Sequence, residues 1–177
     1  MIFSKTAIKD AYILDLDKKE DQRGFFARAW CQKEFKAQGL YPDWVQANIA
    51  KSVKRGTLRG LHYQKAPHQE AKLVRCTSGS IFDVLLDLRP DSHSYLQWLG
   101  VELSAATHKM LYIPEGCAHG YQSLLPDSEI FYMVSQPYSP GYERGLRWDD
   151  PKMDIKWPIS PPNVISEKDA NWPNFRE

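Results

Sequence analysis

The sequence predicts an all-β protein, an antiparallel sandwich or barrel with few short helices. Three observations carry this. The six Trp, nine Tyr and seven Phe fall mainly in short runs shared with Val, Ile and Leu, the composition of strands. Compact turn signals separate the runs: Ser78-Gly79-Ser80, Arg89-Pro90-Asp91-Ser92, Pro114-Glu115-Gly116 and Pro126-Asp127. Helical character is confined to one segment of the first half, so the pattern does not alternate strand with helix as a βαβ fold requires.

In chain order, residues 11–15, 25–31, 44–50, 57–64, 71–77, 81–88, 96–103, 109–113, 118–125 and 129–135 read as strands, and 32–38 as the helix. From Pro137 onward the chain is rich in Pro and Trp (Trp148, Pro151, Trp157, Pro158, Pro161, Pro162). It reads as an extended tail packed over the barrel, because its tryptophans need burial, with a helical turn at 166–170. There is no internal repeat, low-complexity tract or linker. The 177 residues are expected to form one domain, 1–177, large enough for a core of its own.

With 23 basic against 22 acidic side chains the formal charge is +1. That balance removes the electrostatic argument for nucleic acid or an acidic membrane as partner. No apolar run approaches the ~20 residues of a membrane helix, and the first ten residues lack the apolar stretch of a secretory signal. A cytoplasmic protein is expected. Cys31, Cys76 and Cys117 are odd in number and widely spaced, which suits small apolar residues in a reducing compartment better than a disulfide framework or zinc pair.

Three strands carry chemistry-bearing residues. In Gly56-Thr-Leu-Arg-Gly-Leu-His-Tyr-Gln64 a cation, Arg59, and a titratable base, His62, share a core strand. A lone His there is as a rule a satisfied core residue, but Arg is seldom buried without an anionic partner. Strict alternation puts Arg59 and His62 on opposite faces, so both line one cavity only if Gly60 carries a bulge or twist. In Ala71-Lys-Leu-Val-Arg-Cys-Thr77, Lys72 shares a face with Val74 and Cys76; from this segment alone it reads as a solvated edge lysine. In Glu129-Ile-Phe-Tyr-Met-Val-Ser135, Tyr132 alternates with Ile130 and Val134, a pattern of core in which the phenol still wants a partner.

Pro114-Glu-Gly-Cys-Ala-His119 matches the second half of the cupin barrel signature. The first half needs a His-x-His pair and a following Glu, whereas this chain has His62-Tyr63-Gln64, with His68 beyond Pro67. A three-His or His-His-Glu metal shell cannot be assembled from these neighbours. A Gly-rich phosphate loop, a Gly-x-Ser-x-Gly elbow and a redox Cys pair are also absent, which leaves hydrolase and dehydrogenase readings without support.

Together these segments resemble the dTDP-4-dehydrorhamnose 3,5-epimerase family of the cupin superfamily. The resemblance runs from Asp21-Gln-Arg-Gly-Phe-Phe26 through Val45-Gln-Ala-Asn48, Leu58-Arg-Gly-Leu-His-Tyr-Gln64, Ala71-Lys-Leu-Val-Arg75, Ala118-His-Gly120 and Tyr138-Ser-Pro140 to Gly145-Leu-Arg-Trp-Asp-Asp-Pro151 and Ser166-Glu-Lys-Asp169. It implies a cupin jelly-roll barrel. It also implies epimerisation at C3, C5 or both of a nucleotide-diphosphate 4-keto-6-deoxy hexose, with no metal or organic cofactor, in a homodimer that shares strands.

By matching positions the resemblance implies His62 as general base, Asp169 as its orienting partner, Lys72 as the cation on the C4 enolate oxygen and Tyr132 as the acid. It implies Arg23, Arg59 and His119 at the diphosphate and sugar, Gln46 and Asn48 as hydrogen bonders to substrate, and Phe26, Arg28, Tyr138, Glu143 and Lys168 along the substrate site. One departure matters. The family pattern has Glu where this chain has Arg28. A carboxylate accepts from thymine N3–H, whereas a guanidinium only donates. Two readings stay open: Arg28 faces a base rich in acceptors, as in a CDP- or GDP-sugar, or it points at solvent or pairs with Asp21. A cupin 3,4-ketoisomerase is the alternative chemistry.

Overall fold

The computed structural model describes residues 1–176. In chain order its elements are β1 (Ile2–Lys5), β2 (Tyr12–Asp15), β3 (Lys19–Asp21), β4 (Gly24–Phe26), α1 (Gln32–Ala37), β5 (Gln46–Ser52), β6 (Thr57–Gln64), β7 (Lys72–Ser78), β8 (Ser80–Asp87), β9 (Trp98–Ser104), β10 (Met110–Ile113), β11 (Cys117–Ser123), β12 (Ser128–Val134), β13 (Glu143–Gly145), β14 (Val164–Ile165) and α2 (Glu167–Ala170).

Two sheets form a jelly-roll barrel. The first runs β1-β2-β10-β7-β12-β5 and the second β13-β6-β11-β8-β9, with β14 added in parallel beside β6. The apolar inner faces meet between them: Val74 and Cys76 of β7, Ile81 and Leu85 of β8, Leu111 and Ile113 of β10 and Ile130 of β12 form one buried cluster. The outer face of the first sheet is roofed by α1, whose Phe35 is fully buried against Leu73, Met110 and Tyr112. The outer face of the second is covered by the tail, with Trp157, Met153 and Leu146 packed on Leu58, Leu61 and Leu86. Burial of both faces is why β8 and β10 read as nearly continuous apolar runs.

Most expected strands appear within one or two residues of their places, and 57–64 coincides with β6. The expected strand 25–31 does not extend so far. Its ordered part is Gly24–Phe26, which pairs only with β3, and with no sheet alongside nothing sustains it through Ala27 to Cys31. The expected start at Leu96 also fails, because Leu96 sits in the left-handed region (φ 61°) and β9 begins at Trp98. Strands β1, β13 and β14, of two to four residues, were too short to carry a sequence period. No described helix is long and apolar enough to cross a membrane.

Candidate active site

The end of the barrel where β7 begins and β12 ends is polar. The register places Val134 beside both Lys72 and Gln46, and Tyr132 beside Asn48. Across the gap, β6 and β11 pair with His119 opposite His62 and Tyr121 opposite Arg59. Three steps on β6 therefore match two on β11. This bulge resolves the alternation problem, since it lets Arg59 and His62 line one cavity. Gly60 makes it possible: its φ is 109°, and a Cβ there would lie 2.6 Å from Gly120 Cα and 2.7 Å from the His119 carbonyl oxygen.

Two adjoining cavities occupy this end. One, of about 320 Å³, is lined by Gln46, Asn48, Glu70, Tyr138 and Glu143 among others. The other, of about 210 Å³, takes in Arg59, His119, Tyr121 and Asp169. His62, Lys72 and Tyr132 line both, so they stand where the cavities meet. His62 comes from the second sheet and Tyr132 and Lys72 from the first, on facing walls.

His62 Nε2 lies 2.6 Å from Asp169 Oδ1. Asp169 is buried at the start of the tail's last turn, where its own N–H donates to Ser166 Oγ at 3.1 Å, capping α2. Its Oδ2 accepts from the Gly60 N–H at 3.2 Å and its Oδ1 from the Trp172 indole at 3.3 Å. Burial alone would raise the Asp169 pKa, but the hydrogen bonds to His62, Gly60 and Trp172 outweigh it and hold the carboxyl below its ordinary value. The carboxylate thus stays anionic and fixes the imidazole.

Lys72 is 7% exposed on an interior strand, so the edge-lysine reading of its segment does not hold. Its ammonium pairs with Glu70 Oε1 at 2.9 Å, both side chains being nearly buried. Burial raises the Tyr132 pKa, and the nearby Glu70 charge adds to that; the phenol is protonated at neutral pH. His119 Nε2 sits 2.6 Å from Asp83 Oδ1. Arg59 donates to the Lys51 carbonyl at 3.0 Å. Glu143 Oε2 accepts from Tyr138 at 2.9 Å and from Lys168 at 2.5 Å. Burial opposes ionisation of Glu143, but those two donors win and lower its pKa. Gln46 Nε2 donates to Asn48 Oδ1 at 2.9 Å.

Of the residues expected at the site, His62, Lys72, Tyr132, Asp169, Gln46, Asn48, Arg59, His119, Tyr138 and Glu143 line the cavities, and Lys168 reaches them through Glu143. Arg23, Phe26 and Arg28 do not. The β3–β4 hairpin pairs only with itself, leaving the Arg23 side chain 90% exposed against Asp21 and Phe26 74% exposed. Arg28 pairs with Glu34 at 2.7 Å, not with Asp21. Glu70, Asp83 and Trp172 were missed. Glu70 had a signal, an acid two positions before Lys72. Asp83, on an apolar strand, pointed to His119 only once the register was known. Among the described residues no group of three or more His, Cys, Asp or Glu side chains is placed to hold a metal ion.

An oriented imidazole and a half-buried phenol stand on facing walls, with an ammonium at the same junction of the two cavities. The family model described as dTDP-4-dehydrorhamnose 3,5-epimerase matches residues 5–177. A protein of that name from Shigella flexneri is 44% identical over 172 residues, covering 97% of this chain and 94% of the relative. The crystal structure of the dTDP-4-dehydrorhamnose 3,5-epimerase of Elizabethkingia anophelis superposes with a TM-score of 0.95 at 39% identity, covering 99% of this chain and 96% of that one. That of Bacillus anthracis, with TDP and PPi bound, gives 0.94 at 37% identity, covering 98% and 99%. The chain belongs to the dTDP-4-dehydrorhamnose 3,5-epimerase family, sugar-nucleotide epimerases with the cupin jelly-roll fold.

Proposed function

We propose that this chain inverts C3 and C5 of a dTDP-linked 4-keto-6-deoxy hexose by proton removal and return. The observation that carries this reading is the placement of His62 and Tyr132 on opposite sheets, at the junction of the two cavities with Lys72. The C4 carbonyl acidifies the adjoining C–H bonds. His62, oriented by Asp169, takes the proton from one face of the sugar. The C–H electrons pass into an enolate whose oxygen faces the Lys72 ammonium. Tyr132 returns a proton from the other face, inverting the centre. Arg59 and His119 supply donors for the diphosphate and sugar, Gln46 and Asn48 hydrogen bonds to the substrate, and the exposed ring of Tyr138 a surface for the base, with Glu143 and Lys168 beneath it.

The working unit in this reading is a homodimer. Phe26 stands exposed on the hairpin, and Ile49 on β5, with Val45 and Val53 at its two ends, is exposed along the edge of the first sheet. A second copy covers these and brings its hairpin residues to the site. The relatives' dTDP-linked substrates favour dTDP over CDP or GDP, and in this chain Arg28 is paired with Glu34.

Proton NMR in D2O with dTDP-, CDP- and GDP-4-keto-6-deoxy sugars tests the reading. Exchange at C3 and C5 of the dTDP sugar, abolished in His62→Ala, is expected. Exchange only with a CDP or GDP sugar refutes the nucleotide assignment. Exchange at C3 without C5 limits the reaction to one centre, and no exchange with any sugar refutes the chemistry.

A further inference from the structure

The structure contains two His–Asp pairs of equal length, and they are built differently. His62–Asp169 and His119–Asp83 both close to 2.6 Å. Asp83 has His119 as its one side-chain partner, and its buried Oδ2 accepts from nothing among the described residues. Asp169 receives three donors: His62, the Gly60 N–H and the Trp172 indole. The third does not itself line either cavity and comes from the tail.

We propose that Trp172 is a positioning residue for the reaction proposed above, holding the Asp169 carboxylate so that it presents a fixed oxygen to His62. The indole Nε1–H donates to Oδ1, the same oxygen that His62 contacts. The ring lies flat over Gly145, where any Cβ would run into the indole, and Gly145 is the residue of β13 paired with His62 itself. The ring also stands edge-on to the His62 imidazole, with centroids 6.2 Å apart and planes at 71°. Lys168 Nζ lies 5.4 Å from the ring centroid. Trp172 therefore touches the carboxylate, the imidazole and the strand carrying neither, all at once.

The tail holds the ring in place from both sides. Upstream, Ser166 caps α2. Downstream, the Pro173 carbonyl accepts from Arg147 N–H at 3.2 Å, the Phe175 N–H donates to Asp150 Oδ2 at 2.5 Å, and the Phe175 ring packs on the apolar cluster outside the second sheet. The choice of donor has chemical sense. His62 changes charge during each proton transfer, so a partner of the carboxylate that itself titrates would be disturbed by the same event. An indole N–H only donates and does not titrate. The titratable groups acting on Asp169 are His62 on β6 and Lys168 on α2.

Trp172→Phe keeps an aromatic ring over Gly145 and removes the N–H. β-(3-benzothienyl)alanine at position 172, which replaces the indole N–H by sulfur at nearly constant shape, is the second variant should the Phe protein fold poorly. In either folded variant kcat is expected to fall about tenfold or more with KM within twofold of wild type, the size of one lost hydrogen bond to a charged group. By 13C NMR the Asp169 carboxyl is expected to titrate at higher pH than in wild type, since one of the donors that stabilise its anion is gone. Unchanged kcat together with an unchanged Asp169 titration overturns the proposal. The carboxyl titration needs no substrate. A wild-type protein without exchange activity therefore defeats the functional reading alone, and the titration still decides the role of Trp172.

Discussion

Gly60→Ala removes nothing and adds one methyl group, yet it should be among the most damaging substitutions in the barrel. The added Cβ would sit 2.6 Å from Gly120 Cα and 2.7 Å from the His119 carbonyl oxygen. Both obstacles are backbone of the paired strand, so no rotamer change relieves them. Holding an L-residue at φ 109° costs about 1–2 kcal/mol. Forcing β6 and β11 apart adds about 1–3 kcal/mol, as overpacking commonly does. The sum is on the order of 2–5 kcal/mol, which for a chain of this size corresponds to roughly 5–15 °C in Tm. Two functional consequences follow from the same displacement. The Gly60 N–H leaves Asp169 Oδ2, and the bulge that turns Arg59 and His62 into one cavity is altered. Circular dichroism melting and D2O exchange measured on the same preparation are the assays, with an exchange rate down by more than tenfold expected at temperatures where the variant is folded. A variant that melts within about 2 °C of wild type and exchanges at the wild-type rate would refute the steric argument for the bulge.

Other substitutions probe separate links. Tyr132→Phe keeps the ring that packs between the sheets but removes the phenol proposed above as the acid. Its rate of inversion should drop by about 10² or more, with the Tm nearly unchanged, and inversion at the wild-type rate would remove Tyr132 from the mechanism. Asp87 is fully buried; burial would raise its pKa, but donors from Arg89, Ser92 and Ser94 prevail and bring it to about 2. Its folded-state pKa is depressed, so its contribution of about 2 kcal/mol is present above the unfolded value and lost as pH falls from about 5 towards 2. Urea unfolding of wild type and Asp87→Asn across that range should give a shallower pH slope in the variant. Ile49→Asp puts a charge on the exposed face of β5 and should turn the proposed dimer into monomers by light scattering; a monomeric wild type would contradict the proposed assembly.

How far the sequence spoke for this molecule depended on period and context. Strand β6 was legible because its eight residues are bounded by Gly56 and by Lys65-Ala66-Pro67, and turns such as Ser78-Gly79-Ser80 placed β7 and β8 almost to the residue. The hairpin was overextended because Phe25, Phe26 and Trp30 look like strand residues whether buried or not, and Phe26 is largely exposed. Lys72 could not be placed by its own segment, because alternation gives the face of a side chain but not whether the strand is an edge. His62 and Asp169 are 107 positions apart, so only family resemblance joined them, and the indole that completes their arrangement follows a four-residue helix with no repeating pattern to announce it. The need for a bulge at Gly60 did follow from strand arithmetic alone.

The two-walled arrangement has a bookkeeping consequence for the enzyme itself. When base and acid belong to different sheets, the hydrogen that leaves the sugar is never the hydrogen that arrives. Under the proposed mechanism, after one inversion the site stands in a reversed ionic state, with its proton on the imidazole wall and a vacancy on the phenol wall. A second inversion cannot begin until solvent has reset both walls. Under the proposed reading, the open cleft at the barrel end is therefore a port for water as much as for substrate, and each inverted centre should carry an atom of solvent hydrogen as a record of its passage.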